Sequence, residues 1–429
     1  MKNTFIKSTL ILILGGFIIK IMGMFIKIII TRSIGESGLS LYMLTLPTYN
    51  LFITLVTSGM QISTSKLISE NRLNKTRLIS TSLVITLITS FILVLILVIF
   101  AKPITVLLHN DKLYYPILSI ILSLPFIGIS SILKGYFLGL NKMHVQVISN
   151  FFEQLIRIGL YVLVLPSINN KVLGVAFIIG SNMISEIVAL ITMLIFLPKK
   201  ISLKKLFKFD KNIKTEILSI SVPSTTSRVI GTISYFFEPI ILTNLLIING
   251  YSNSYISTEY GIITGYAMQL LLLPSFFSMA ISQSIIPLIS NAFVNKRYLY
   301  IKKKIREIII ISLIIGLTYT IVININPSFF LETIYNTNKG TNYIKILSPV
   351  FILLYIQTPL TSVLQSINLA TESMKATIYG IIIKTILMIV LSFFKFGIYA
   401  FIYPMLINIV FVTIHNYIKI KRSINSFLW

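Results

Sequence analysis

The chain has 429 residues, 55% of them hydrophobic and only 11% charged, with 37 Lys and Arg against 12 Asp and Glu. A mean hydropathy of +0.90 excludes a soluble globular domain, and the net charge of +25 reads as the positive-inside bias of a membrane protein rather than as a nucleic-acid footprint. There is no cysteine, and His109, His144 and His415 are scattered, so no disulfide framework, thiolate site or metal motif is expected.

Twelve apolar segments follow in chain order: 8–31, 38–59, 78–101, 115–134, 147–166, 172–197, 217–242, 260–285, 307–325, 346–366, 377–394 and 397–418. Most are long enough to cross a hydrocarbon core of about 30 Å. Lys2 and Lys7 precede the first, as in a signal peptide. That segment is too long, carries Lys20 and Lys27, and lacks a small-residue cleavage site, so it reads as a helix. The predicted class is all-α: a polytopic membrane protein of twelve transmembrane helices in two six-helix lobes around a central cavity. The basic loop at 198–216, with Lys199, Lys200, Lys204, Lys205, Lys208, Lys211 and Lys214, divides the segments six and six. This gives an N-terminal lobe at 1–198, a linker at 199–216 and a C-terminal lobe at 217–429. With the N-terminus inside, 25 Lys and Arg fall in cytoplasmic segments and 7 in external ones. Both termini and the linker are therefore expected in the cytoplasm. An internal echo, Met60-Gln61-Ile62-Ser63 against Met279-Ala280-Ile281-Ser282, each preceded by a proline (Pro47, Pro274), suggests a parallel repeat.

Helix one carries Gly16, Lys20, Gly23 and Lys27 on one face. The glycines there predict close backbone approach, and the lysines a cavity wall. The fifth helix carries Gln146, Asn150, Glu153 and Arg157, with Glu153 and Arg157 in the favourable i,i+4 order. That pair reads equally as a structural ion pair and as a substrate contact. Glu186, beside Asn182 and Ser185 in the sixth helix, reads as structural. The seventh helix has Ser221, Thr225, Arg228 and then Glu238 before Pro239. Arg228 and Glu238 are about 15 Å apart along the axis and cannot pair. Glu238 is expected near the outer mouth, and Lys384 near the cytoplasmic end of the eleventh helix.

Lys20, Arg157 and Arg228 each lie about ten to twelve residues into an apolar run, roughly 15–18 Å from its cytoplasmic end and close to the midplane. A charge there costs about 2.5–3.5 kcal/mol on insertion scales. The three cations should therefore face a polar interior, where they can receive an anion. Prolines at 47, 223, 239, 274, 287, 349 and 359 predict kinked helices. No P-loop, dinucleotide fingerprint or hydrolytic triad spacing is present.

Several stretches resemble a known group: GESGLSLYMLTLPTYNLF (35–52), TSGMQISTSKLISE (57–70), KGYFLGLNKM (134–143), SNFFEQLIRI (149–158), VPSTTSRVIGTISYFFEPIIL (222–242), YGIITGYAM (260–268) and LPSFFSMAISQSIIPLIS (273–290). They are similar to the stage V sporulation protein B group of oligosaccharide-lipid flippases. That group lies in the multidrug/oligosaccharidyl-lipid/polysaccharide (MOP) exporter superfamily and is related to the lipid II flippases. The resemblance covers about residues 10–295, and the remainder by topology alone. It implies a two-lobed helical transporter with a V-shaped cavity, and it places Glu153, Arg157, Arg228 and Glu238 on the group's charged positions. Many lipid II flippases have two further C-terminal helices that shelter the lipid tail. With twelve segments, those helices are expected to be absent and the tail to lie against lipid.

The function expected is a non-enzymatic flippase. It would carry an undecaprenyl-pyrophosphate-linked saccharide, a lipid II-like peptidoglycan precursor or polysaccharide repeat unit, to the outer leaflet by alternating access. Lys20, Lys27, Glu153, Arg157, Arg228, Glu238 and Lys384 are the candidate substrate-binding residues. No cofactor, metal or nucleic acid is expected. The partners are the lipid-linked substrate and membrane lipids, with a coupling cation or the membrane potential as driving force, and the protein is expected to be a monomer in the cell membrane. A cation-coupled multidrug exporter of the same fold would want an acidic lumen. A membrane glycosyltransferase or ligase would need carboxylates on a large external loop, where only Glu259 and Glu332 are available.

Overall fold

The computed structural model describes residues 2–57, 59–198 and 209–427, with the side chains of 2–14, 223, 224, 227, 283, 287 and 425–427 not described. Lys199, Lys200, Lys204, Lys205 and Lys208 of the predicted linker thus lie outside the described residues, as do the side chains of Pro223 and Pro287. Among the described residues the chain is built of helices and turns, without strands. Helices satisfy every backbone polar group within one segment, which is what an apolar solvent demands.

Helix α1 (Lys2–Thr57) is two arms in one run, broken at Gly35 with φ 66°. A residue with a Cβ rarely takes that angle, so glycine sets the bend. The two arms coincide with the first two predicted segments. Gly59, also left-handed at φ 66°, then precedes α2 (Met60–Glu70). Helix α3 (Lys75–Leu107) starts at Asn74, whose side chain accepts from the N–H groups of Thr76 and Arg77. Next come α4 (Tyr114–Gly139), α5 (Met143–Leu163), α6 (Lys171–Gly180) and α7 (Asn182–Ile195).

Helix α8 (Lys211–Ile248) leads to α9 (Asn253–Ile262), a π-helical turn at Ile263–Ala267, α10 (Met268–Leu271) and, beyond the break that ends at Pro274, α11 (Ser275–Val294). The chain closes with α12 (Tyr298–Ile325), α13 (Pro327–Tyr335), α14 (Thr341–Ser366), α15 (Ala370–Phe393) and α16 (Tyr399–Phe427). The eighth predicted segment, 260–285, is thus a longer broken element, as the second segment is at Gly59. Both breaks come just ahead of the repeated Met-x-Ile-Ser.

Ten helical segments among the described residues are long and apolar enough to cross a membrane, from Lys75–Leu107 to Tyr399–Ile424. The arms of α1 are not among these ten, so the structure makes a multi-pass membrane protein without reproducing the count of twelve. The chain divides into two compact units, Met1–Phe237 and Glu238–Trp429, and the division falls inside α8.

Within the first unit, α4 lies against α2 with almost no gap. A Cβ added at Gly135 would meet the Gln61 carbonyl oxygen at 2.6 Å, and one at Gly139 would meet that of Ser65 at 2.5 Å. This small-x-x-x-small spacing lets backbones touch, and in lipid such van der Waals contact is a main source of helix association. The core around it gathers Met60, Leu67, Leu78, Ile132, Leu133 and Phe137. The second unit has its own core, with Ile289, Ile301, Ile305, Leu360, Leu364 and Ile420. Some buried hydroxyls in each unit are satisfied within their own helix: Thr45 donates to the Leu41 carbonyl and Ser366 to that of Ser362.

Helix one departs from expectation in one respect. Gly16 and Gly23 have no atom within 4 Å of an added Cβ, whereas Gly15 would meet Val147 Cγ1 at 2.1 Å. Gly15 therefore makes the close approach to α5, and the Gly16–Gly23 face borders open space.

Candidate functional site

Four charged side chains meet inside the first unit. On α5, Arg157 Nη2 donates to Glu153 Oε1 at 2.9 Å. From α4, Lys134 Nζ lies 3.4 Å from Glu153 Oε2 and 3.9 Å from Glu186 Oε2 on α7. The side chains are 9–18% exposed. Two cations and two carboxylates balance, which is the condition under which charge survives in a low-dielectric interior.

Local sequence explains the convergence. Lys134 immediately precedes Gly135, whose contact with α2 sets the depth of α4. Helix α5 is pinned to its neighbours by two hydrogen bonds: Ser149 Oγ donates to the Ala189 carbonyl at 3.0 Å, and the Tyr161 hydroxyl to that of Ile178 at 3.0 Å. At the α6–α7 junction the Asn182 amide donates to the Ile179 carbonyl at 2.9 Å, one turn before Glu186.

The guanidinium is only partly used. Arg157 Nε is buried without a hydrogen-bond partner among the described residues, although a guanidinium carries five N–H donors. Its charge also acts on the phenols of Tyr49 and Tyr161. Arg157 can thus hold Glu153 and still offer donors to a further acceptor.

The remaining candidates divide by unit. Lys20, Lys27 and Arg228 belong to the first unit and are exposed. Lys20 and Lys27 act on each other electrostatically. Ser221 and Thr225 line a cavity of about 340 Å³ with Leu55, Met60 and Thr89. Arg228 is not part of that lining.

In the second unit, Lys384 Nζ donates to Glu238 Oε2, with both side chains largely buried (14% and 8% exposed). This corrects the expected depths. Helix α15 begins at Ala370 rather than 377, so Lys384 lies nine residues before its end at Phe393, and Glu238 lies ten before the end of α8 at Ile248. Glu259 accepts from the Tyr343 hydroxyl, while Glu332 is exposed on α13. Among the described residues no cluster of three His, Asp or Glu could hold a metal.

Lys134 is the site residue that sequence reasoning missed. It closes the fourth apolar segment, so hydropathy alone puts it at the membrane edge. The signal was a charge imbalance: Glu153 and Glu186 face only Arg157 unless another cation joins them.

A family model described as polysaccharide biosynthesis protein matches residues 5–293. The chain belongs to this family. A second model, MatE, matches residues 239–394. Among curated relatives, the family member is 34% identical over 407 residues to stage V sporulation protein B of Bacillus subtilis, covering 91% of this chain and 78% of that one. It is 23% identical to lipid II flippase MurJ of Bacillus subtilis, covering 90% and 77%. The fold is similar to that of a multidrug resistance MATE family transporter of the MOP superfamily solved in an inward-facing conformation, with TM-score 0.77, 16% identity and 94% of each chain covered. A MOP superfamily transporter from Pyrococcus furiosus matches at TM-score 0.64 and 14% identity, covering 100% and 97%.

Proposed function

We propose that this protein is a flippase that moves an undecaprenyl-pyrophosphate-linked saccharide from the inner to the outer leaflet by alternating access, without covalent chemistry. The observation that carries the reading is Arg157. It is buried and charge-balanced by Glu153, yet it keeps unused donors. A pyrophosphate oxygen is the acceptor such a guanidinium suits, since Arg binds phosphate through several N–H groups at once. The relatedness to stage V sporulation protein B and to a lipid II flippase supports the same substrate class.

In this reading Lys20, Lys27 and Arg228 supply further positive charge from the same unit. Glu153, Lys134 and Glu186 hold Arg157 in place. Glu238 and Lys384 form a second buried pair, in the second unit, that is a further candidate contact for the substrate. Both termini and the 199–216 linker face the cytoplasm, following the positive-inside bias, and the protein works as a monomer. Each negative charge carried outward gains about 2.3 kcal/mol per 100 mV of membrane potential. Two charges gain about twice that, so a coupling cation is not required by energetics.

A multidrug exporter of the same fold is the rival. Purified protein in vesicles separates the two. The flippase reading expects outward movement of a labelled lipid-linked saccharide, loss of that movement in Arg228→Glu, and no transport of a lipophilic cation. Cation transport with no lipid movement would reject it.

A further inference from the structure

The second unit carries a groove of about 830 Å³ with charged residues at one end and apolar walls beyond it. It runs between α12, α14 and α16. One end carries Lys302, Lys303 and Arg306 from the start of α12, and Lys421 from the last turns of α16. Away from that end its walls are Ile309, Ile310, Leu353 and Ile414. Ile310 and Ile414 are 45% and 49% exposed, so the apolar wall is open to the surroundings.

The two chain directions agree on this polarity. From Lys302 to Ile310 is about 12 Å along α12, and from Lys421 back to Ile414 about 10 Å along α16, at 1.5 Å per residue. Tyr417, between the charged and apolar parts of α16, suits an interfacial depth. None of the four cations forms an ion pair among the described residues. The nearby carboxylates are taken: Glu307 by Lys304, and Glu372 by Lys375 and Lys419.

We propose that this groove binds an anionic phospholipid, with its acyl chains along Ile310, Leu353 and Ile414 and its phosphate among Lys302, Lys303, Arg306 and Lys421. Four unpaired cations at the head of an apolar channel complement a phosphodiester on a double chain. A basic pocket between membrane helices is the usual form of such recognition. A saccharide head group fits the groove poorly, because apart from the cations only Thr413 and Tyr417 offer polar atoms. The lipid bridges the first turns of α12 to the last turns of α16. It thereby ties the second unit's stability to the charge of its leaflet.

The test uses the full-length protein in nanodiscs of phosphatidylcholine, with or without phosphatidylglycerol. Native mass spectrometry counts retained lipid and thermal melting reads protection. Phosphatidylglycerol should be retained and should raise the melting temperature. Each neutralised cation should weaken retention by about fivefold, and the Lys302→Gln/Lys303→Gln/Arg306→Gln variant by on the order of a hundredfold. Ile414→Trp, which fills the apolar wall and keeps every charge, should also lose the lipid, so the proposal stays testable if the triple variant folds poorly. Lys211→Gln/Lys214→Gln, outside the groove, should retain it. Unchanged retention in Ile414→Trp or in a folded triple variant would overturn the proposal. So would equal protection by inorganic phosphate, which would make the chains irrelevant. Displacement by polyprenyl pyrophosphate at matched concentration would assign the groove to the substrate, and a dimer lost on filling the groove would assign it to a second copy of the chain.

Discussion

The two units repeat an order of helices but fill the same position differently. In the first, α3, α4, α5 and α6–α7 follow one another; in the second, α12, α14, α15 and α16 do. Lys134 lies five residues before the end of α4, and Thr361 lies five before the end of α14. Both sit among core residues: Leu133, Tyr136 and Phe137 around Lys134, and Leu360, Val363 and Leu364 around Thr361. Lys134 reaches carboxylates on the third and fourth helices of its set. Thr361 instead accepts from the Asn416 amide of the fourth, at 3.2 Å. The first unit thus holds four charges where the second holds a neutral hydrogen bond. At this position the second unit closes with a neutral pair and keeps its buried ions, Lys384 and Glu238, elsewhere, so the architecture does not require four charges here. That contrast points to function in the first unit.

The sharpest way to break the comparison is to remove one charge. Glu153→Gln should destabilise the protein by about 3–5 kcal/mol, because it strips the carboxylate that both Arg157 and Lys134 use. Unfolding in mild detergent, followed by circular dichroism, would measure it. A loss as small as that of an ordinary hydrogen bond would mean that water already solvates the network. Lys384→Met should cost a similar amount by leaving Glu238 buried and alone, and Glu238→Gln/Lys384→Met should recover most of it.

Packing comes next in size. Gly135→Val drives a side chain into the Gln61 carbonyl and should cost about 1–3 kcal/mol or lower the yield of inserted protein. Gly16→Ala, which meets only open space, should be neutral or stabilising by up to about 1 kcal/mol. Equal effects at the two glycines would deny the α2–α4 contact its role. The smallest loss of stability belongs to the neutral counterpart in the second unit. Asn416→Ala loses one interhelical hydrogen bond, worth about 0.6 kcal/mol in membrane proteins.

The sequence made much of this legible, for reasons that differ by residue. Glu153 and Arg157 are four apart on one helix, so their pairing follows from periodicity alone. The apolar segments follow from hydropathy. Lys134 was hidden because hydropathy ends a segment at its last charge, while packing at Gly135 and Gly139 decides how deep that charge lies. Glu238 and Lys384 were placed at opposite ends because Thr371, Glu372, Ser373 and Lys375 look like a loop. They are the polar first turns of α15, which begins at Ala370. A contact between residues 146 apart in sequence depends on where two helices start, and composition blurs that edge. The close approach at Gly15 rather than Gly16 is a one-residue rotation that hydropathy does not resolve.

The central claim is that the charged interior of the first unit serves the substrate, and one variant isolates it. Glu153→Gln/Arg157→Gln leaves Lys134 with Glu186, so the remaining charges still balance. The account predicts that this double variant regains most of the stability lost by either single change. It also predicts that flipping of a labelled lipid-linked saccharide in vesicles falls by at least about tenfold, the effect of a lost contact worth about 1.4 kcal/mol. Wild-type flipping by the stably folded double variant would contradict the account and assign the pair to structure alone.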